Sequence, residues 1–394
     1  MTNPLTADPQ LVAWMTDIRR SIHQYPELAL QEFRTAEYVS GKLTELAISH
    51  KKGIAGTGIV AFIGEKKNSA RAVALRADMD ALPIREKTGL PFSSQNAGIM
   101  HACGHDGHMA MLLGAAALLK KQPQQLPGRV VLLFQPAEED EGGAEKMIAA
   151  GVLAGVDAIF GGHIERHFGV GEIAVQPGII CAFTDEFQII IRGPGGHAAK
   201  PHESVDCIVA ASFLVASLQT LVSRETNPVF PAVVTVGKIH GGTATNIIAD
   251  QVVLEGTIRT THAEAREKIF ASLRRMVQAV QELYGTETEL TLTAGYPPVI
   301  NDPVISDMAR EAARQTVGEN GVKSQPYPSL GGEDFSFYLK KMPGCFVRFG
   351  ARRDDLPNAN AHSPIFDFDE RVLPIGAEFL ARSALLFLQQ AAQG

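Results

Sequence analysis

RVVLLFQPAEEDEGGAEKMIAAGVLAGVDAIFGGH, residues 129–163, decides the fold class. Its opening run, RVVLLF (129–134), reads as a buried strand. The polar loop QPAEEDEGG follows. GAEKMIAAGVL then reads as a helix and DAIFGG (157–162) as a second strand. Strand, loop, helix, strand is the repeating unit of an α/β layer with a largely parallel sheet flanked by helices.

The rhythm extends outward. Upstream, AVALRA (72–77) is a short apolar strand followed by the loop DMDALP, and 109–119 reads as a buried helix. About Pro9 to Ala47 reads as helical, with Leu11, Trp14, Met15, Ile18 and Ile22 at helical spacing. Downstream the pattern changes near Asp185. EFQIIIRG, AVVTVGKIHGG, DQVVLEGTIRT and TELTLTAG read as strands, with helices at 205–224 and 263–284. That order is βαββαβ, the ferredoxin-like unit, which is self-contained. The α/β rhythm then returns, with a helix at 305–317, the strand FVRFGA (346–351) and a closing helix at 373–391. The expected organisation is a discontinuous catalytic domain, 1–183 with 298–394, carrying an inserted domain at 184–297.

Composition narrows the function classes. The chain has 394 residues, 45% hydrophobic and 20% charged, which suits a globular protein of two domains. A net charge of -7 argues against a nucleic-acid partner, which needs a basic face. Cys103, Cys181, Cys207 and Cys345 are far apart and form no CxxC pair, as in a reducing compartment. MTNPLTADPQLVAW has no basic-then-apolar leader, and the longest apolar run, MAMLLGAAALL, stops at Lys120. The expectation is a cytoplasmic protein with no membrane partner.

In open α/β sheets, ligands bind beyond the carboxyl ends of the strands. Ionisable residues gather at those places: Asp78 and Asp80, then Glu138, Glu139, Asp140 and Glu141, then His163, and His362 after a loop. MHACGHDGHMAM (100–111) adds Cys103 and His105, which point the same way if the backbone is extended. A thiolate, imidazoles and carboxylates suit zinc, manganese, cobalt or nickel better than magnesium or calcium. Of two adjacent glutamates, one can bind metal while the other takes a proton from water. Two ions roughly 3.5–4 Å apart would stabilise the attacking and carbonyl oxygens together.

RRSIHQYPEL, LRADMDALPI, MHACGHDGHMAMLLGAA, LLFQPAEEDEGGAEKMIAAG, GGHAAKPH, GTATNIIAD, GTIRT, GGEDFSFY and AHSPIFDFDERVLPIG spread over nearly the whole chain. Together they resemble the aminoacylase and carboxypeptidase family of dinuclear metallopeptidases and amidohydrolases. The nearer likeness is to its hippurate hydrolase, N-acyl amino acid amidohydrolase and auxin-conjugate hydrolase branch. The resemblance implies two divalent ions per subunit (Mn2+, Zn2+, Co2+ or Ni2+), with Cys103 bridging, His105 and Glu139 on one ion, and His163 and His362 on the other. It implies Glu138 as general base, Asp80 as an orienting acid, and Asp78 standing behind the ligands where many members carry a histidine. His197 would polarise the scissile carbonyl, often from the partner subunit. Asn246 and Arg259 would hold the substrate carboxylate, and Gly331 and Gly332 of GGEDF would line the cleft.

The implied activity is hydrolysis of the amide of N-acetyl, N-benzoyl or aryl-acyl amino acids, small-molecule substrates. The inserted domain would serve as a lid and as the contact of a homodimer or higher homo-oligomer. A dipeptidase or carboxypeptidase on the same scaffold is the alternative, and behind it a non-catalytic metal-binding or redox-sensing protein with Cys103 as its reactive thiol. His23, His101 and His108 read as packing or supporting groups, Asp140 and Glu141 as solvated charges, and the other three cysteines as small buried hydrophobes. Two places depart from the family pattern. GGHIERHFGVGEI lacks the usual leucine and prolines around His163 and adds His167 as a rival ligand, and LGGEDF lacks a serine before its glutamate.

Overall fold

The computed structural model describes residues 5–65, 71–122, 126–140, 142–356 and 358–390. They divide into two compact units: Met1–Gly178 with Val299–Pro326 and Asp334–Gly394, and Ile179–Pro298 with Tyr327–Glu333. The second unit thus takes in Tyr327–Glu333, a stretch outside the 184–297 insert expected from the sequence.

The first unit opens with α1 (Pro9–His23), where the Asp8 carboxylate accepts from the Leu11 N–H at 2.8 Å and proline sits in the first turn. Leu11, Met15, Ile18 and Ile22 form its buried face. α2 is Phe33–Glu45. The single helical run expected over 9–47 is broken between them. Pro26 keeps the residue before it out of helical geometry, and Leu30 turns the chain at φ +59. Then come β1 (Ser49–Ile54), β2 (Gly58–Ile63), β3 (Ala72–Asp78), α3 (His105–Lys120), β4 (Arg129–Gln135), α4 (Gly143–Ala149), β5 (Ala158–Glu165), the short β6 (Ile173–Ala174) and β7 (Gly178–Ile179).

The second unit contains β8 (Phe183–Arg192), β9 (Gly196–His197), α5 (Cys207–Thr220), β10 (Ala232–Gly241), β11 (Ile247–Ile248), β12 (Gln251–Thr260), α6 (Ala263–Tyr284) and β13 (Glu287–Ala294). Its four-stranded antiparallel sheet has the order β10-β12-β8-β13. Alternate residues of β12, among them Val252, Leu254 and Ile258, face a core shared with Leu214, Leu218, Leu273 and Val277 of the two helices. Gly256 has no room for a side chain there, since a Cβ would lie 2.2 Å from the Thr235 carbonyl oxygen.

The chain returns to the first unit through β14 (Ile300–Asn301), α7 (Pro303–Val317), β15 (Val322–Lys323), α8 (Ser336–Leu339), β16 (Gly344–Gly350) and α9 (Val372–Gln390). The eight-stranded sheet has the order β1-β2-β4-β3-β5-β16-β6-β15. Its centre, β4, β3, β5 and β16, is parallel, so all four carboxyl ends share one edge. The β1–β2 hairpin, antiparallel to β4, has no counterpart in the sequence reading. α3 is buried along nearly its whole length, and each wholly buried leucine or methionine there contributes about 1.5–3 kcal/mol. Small residues admit its neighbours: a Cβ on Gly114 would meet Met15 Sδ of α1 at 2.2 Å and Ala377 Cβ of α9 at 2.8 Å.

Two helical stretches, Cys207–Glu225 and Val372–Gln390, reach a membrane span by length and apolar composition, which the sequence reading did not anticipate. Much of the second, α9, is core: 72% of its apolar window is buried.

Candidate metal centre

The shared edge of the sheet carries the ionisable groups. Asp78 closes β3, and Met79–Asp80 follow it. Pro136–Ala137–Glu138–Glu139 follow β4. His163 lies within β5, not after it as expected, because the strand runs on to Glu165. Cys103 and His105 flank Gly104, the N-cap of α3, at φ +93. The backbone is therefore turned there, not extended, and glycine permits the turn. Two non-glycine residues in the loops of the site, Ala137 (φ +56) and His362 (φ +63), are also left-handed. Such conformations are costly for L residues and persist only where the surroundings impose them.

The donor atoms converge. Cys103 Sγ lies 3.2 Å from His163 Nε2. Glu139 Oε1 lies 3.3 Å from His362 Nε2 and 3.8 Å from His105 Nε2. Glu138 Oε2 lies 3.9 Å from His105 Nε2. Two triples, Cys103 with His105 and His163, and Cys103 with Glu139 and His362, each bring one donor atom per residue within 4.8 Å of the others. Cys103 belongs to both. A further triple, His105 with Glu138 and Glu139, is as close, so His105 stands near Glu139 as well as His163.

The outer ring nitrogens are occupied by the protein. His105 Nδ1 faces the Asp80 carbonyl at 2.9 Å and its carboxylate at 3.2 Å. His163 Nδ1 faces the Ile164 carbonyl at 2.7 Å. Both imidazoles therefore turn Nε2 inward, the support that metal-binding histidines ordinarily have. His105 Nε2 is buried with no hydrogen-bond partner. His108 differs: Nδ1 meets Asp78 at 2.6 Å and Nε2 accepts from the Ile164 N–H, so both nitrogens are committed. Asp78 also takes Arg76 at 2.6 Å. His101 is buried beside His23 with neither nitrogen bonded, and His23 is held by Asp106 and Glu86. His167 is exposed and paired with Glu165. Asp140 is exposed, and Glu141 lies outside the described residues. Cys181, Cys207 and Cys345 are buried and unbridged.

Electrostatics follow from burial and crowding. Burial, then Glu139 and Glu138, push the Cys103 thiol well above its ordinary range. Burial opposes the His105 cation, but Asp78, with Asp80 and Glu139, outweighs it and lifts His105 to about 10. Burial and then the nearby His108 hold His163 well below its ordinary value. Burial opposes the Glu139 carboxylate, but His362 and His105 bring it below the usual range. A soft thiol, three imidazoles and a carboxylate around an orphaned ring nitrogen fit divalent ions of the zinc and manganese kind. Binding them requires the thiol and the imidazolium to give up protons.

The other expected residues lie on the second unit. His197 pairs with Ile247 across β9 and β11, and the Ala198 N–H donates to the Asn246 carbonyl, so these two residues are neighbours. Arg259 is half-buried, with Nη1 on the Asp185 and Ile258 carbonyls at 3.3 and 3.2 Å. Gly331 and Gly332 are exposed, and a Cβ on Gly332 would lie 2.7 Å from Thr184 Cγ2. Two supporting residues have no part in the sequence reading. Arg166, just after β5, donates to the Arg353, Leu356 and Ala359 carbonyls of the loop leading to His362. Glu32 accepts from the Ala137 N–H at 2.9 Å. Neither has a local signal, because the acceptors lie far away in sequence.

A model of the peptidase family M20/M25/M40 matches residues 74–386. The chain is 42% identical over 387 residues to the N-acetyl-L-cysteine deacetylase of Bacillus subtilis (strain 168), across 97% of this chain and 90% of that protein. The chain belongs to the M20/M25/M40 peptidase family. A second M20 relative, the IAA-amino acid hydrolase ILR1-like 4 of Arabidopsis thaliana, is 41% identical over 385 residues, 95% of this chain and 86% of that one. Among solved structures, the Bacillus subtilis YXEP protein, a dinuclear metal binding peptidase of the M20 family, superposes with a TM-score of 0.83 at 37% identity, covering 97% of this chain and 99% of that one. This M20 protein is a hydrolase of amide bonds with a metal-binding site.

Proposed function

We propose that this M20 protein hydrolyses N-acyl amino acids, with an acetyl, benzoyl or aryl-acyl group, to a carboxylate and a free amino acid. The observation that carries this reading is the cluster of Cys103, His105, Glu139, His163 and His362 beside a second, buried glutamate, Glu138. The acyl-amino-acid names of its relatives support the substrate class. Cys103, His105, Glu139, His163 and His362 would together hold two divalent ions (Mn2+, Zn2+, Co2+ or Ni2+). Bound there, the ions would polarise the amide carbonyl and make a water acidic enough to deprotonate near neutral pH.

The chain's own groups do the rest. Glu138 takes the proton from water and passes it to the leaving amine. Asp80 fixes the ring of His105 through Nδ1. His197 donates to the carbonyl oxygen as negative charge builds on it. Arg259, whose fork matches a carboxylate, holds the α-carboxylate together with Asn246. Gly331 and Gly332 leave room beside the acyl group. The proposed setting is the cytoplasm, with no nucleic-acid or membrane partner. The second unit, 184–297 in the sequence scheme, serves as lid and as the contact of a homodimer.

Glu138→Gln tests the reading. Turnover of an N-acyl amino acid is expected to fall about 10²–10⁴-fold, the usual worth of a general base, while metal analysis still finds two ions per subunit. Near-wild-type turnover would remove Glu138 from that role. A panel of N-acetyl, N-benzoyl and indole-acyl amino acids beside free dipeptides, on metal-free enzyme restored with each ion, tests the substrate class. Preference for free dipeptides would make the protein a peptidase instead.

A further inference from the structure

We propose that Glu32 is a positioning residue for this reaction: its buried carboxylate clamps the Ala137 N–H and so fixes the turn that aims Glu138 and Glu139. The inference rests on the reading of those two residues as base and ligand.

Glu32 is fully buried. It stands at the N-cap of α2, where a side chain ordinarily caps the helix's own N–H groups, yet it makes no such bond. Its oxygens are used elsewhere. Oε1 accepts from the Ala137 N–H at 2.9 Å, and Oε2 accepts from Thr57 Oγ1 at 2.5 Å. Ala137 is left-handed and immediately precedes Glu138. On the other side of Glu138, the Glu139 N–H donates to Asp80 Oδ2 at 3.0 Å. Two carboxylates thus hold the backbone on either side of the base.

The turn has no slack of its own. A Cβ on Gly143 would lie 1.7 Å from the Pro136 carbonyl oxygen, and one on Gly58 would lie 2.9 Å from Pro136 Cδ. A left-handed alanine persists only where its surroundings insist on it, and a charge-assisted bond to its N–H is a strong way to insist. Glutamine at position 32 keeps an acceptor for that N–H, and Thr57 can accept from its amide. Alanine keeps neither.

The experiment compares Glu32→Gln, Glu32→Ala, Ala137→Gly and the double variant Glu32→Ala/Ala137→Gly. Calorimetric titration of metal-free protein with Mn2+ is one readout, and kcat and KM of the restored enzyme are the others. Glu32→Ala is expected to weaken Mn2+ binding about 10–100-fold, as loss of a supporting group around a metal site does, and to lower kcat with KM nearly unchanged. Glu32→Gln is expected to stay within about threefold of wild type on both, since the clamp survives. In the Ala137→Gly background the penalty should shrink, because glycine takes φ +56 unaided. Wild-type Mn2+ affinity and kcat in Glu32→Ala would overturn the proposal. So would a penalty of equal size in both backgrounds, which marks a merely structural role. If Glu32→Ala does not fold, Thr57→Val loosens the same carboxylate without emptying its site. It should weaken Mn2+ binding several-fold, and unchanged binding would overturn the proposal. Glu138→Gln in parallel separates the two readings: full turnover there breaks the base assignment, while the Mn2+ titration of the Glu32 variants is read independently of turnover.

Discussion

A single carboxylate shows how position sets chemistry here. Glu86 accepts from the Ser94 N–H at 2.6 Å, bonds Thr88 Oγ1 and faces His23 Nε2 at 3.4 Å. Burial opposes its charge, but these partners, His23 foremost, bring it from an ordinary 4.5 down to about 2. A carboxyl depressed in the folded state stabilises it fully above the unfolded value, and that contribution is lost as pH falls toward the folded one. Urea midpoints are therefore expected to drop between about pH 4.5 and 2 in the wild type, and less steeply in Glu86→Gln. An identical acid limb in both would show that Glu86 carries none of this dependence. The metal-capable residues were legible at this scale because their types are rare together. Glu32 and Arg166 were not, since a glutamate before a helix and an arginine after a strand look ordinary until their distant acceptors are known.

Between elements, Arg19 makes a buried polar tie. This wholly buried guanidinium of α1 binds Asp106 of α3 at 2.9 Å, and Asp367 and Glu370 ahead of α9 at 2.8 and 3.1 Å. It also lies 4.4 Å from the Phe368 ring centre. Removing one member of a buried ion pair strands the other. Arg19→Met is expected to cost about 3–5 kcal/mol, read from urea unfolding followed by tryptophan fluorescence. A loss under about 1 kcal/mol would mean that water reaches Asp106 and screens it. Elements with strong apolar patterns were readable: β3, β4, β16 and α3 stand within a few residues of their expected places. The β1–β2 hairpin was not, because β1 is mostly exposed, with Lys51 and Lys52, and so lacks the alternation that betrays a half-buried strand.

Across the whole molecule, each unit carries its own hydrophobic core. On the second unit an apolar surface is exposed: Ile208, Val209 and Phe213 on α5, and Ile239 on β10, an edge strand of its sheet. An exposed edge strand beside an apolar helix face invites a second copy. The homodimer proposed above predicts twice the monomer mass in light scattering at micromolar concentration. It also predicts a monomer in Ile239→Lys/Phe213→Glu, a surface change that leaves the fold intact. A wild type running as a monomer would remove the dimer.

The sequence by itself determined the layer order, the βαββαβ unit and the gathering of metal-capable residues after the strands, because hydrophobic period and residue chemistry are local properties, and its family resemblance narrowed those residues to a candidate ligand set. The tertiary structure alone decided which donors stand together. It brings Cys103 beside His163, and Glu139 beside both His362 and His105. It also turns the chain at Gly104 and clamps Ala137 through Glu32. Those outcomes depend on parallel strands bringing distant carboxyl ends to one edge, a register no local pattern records.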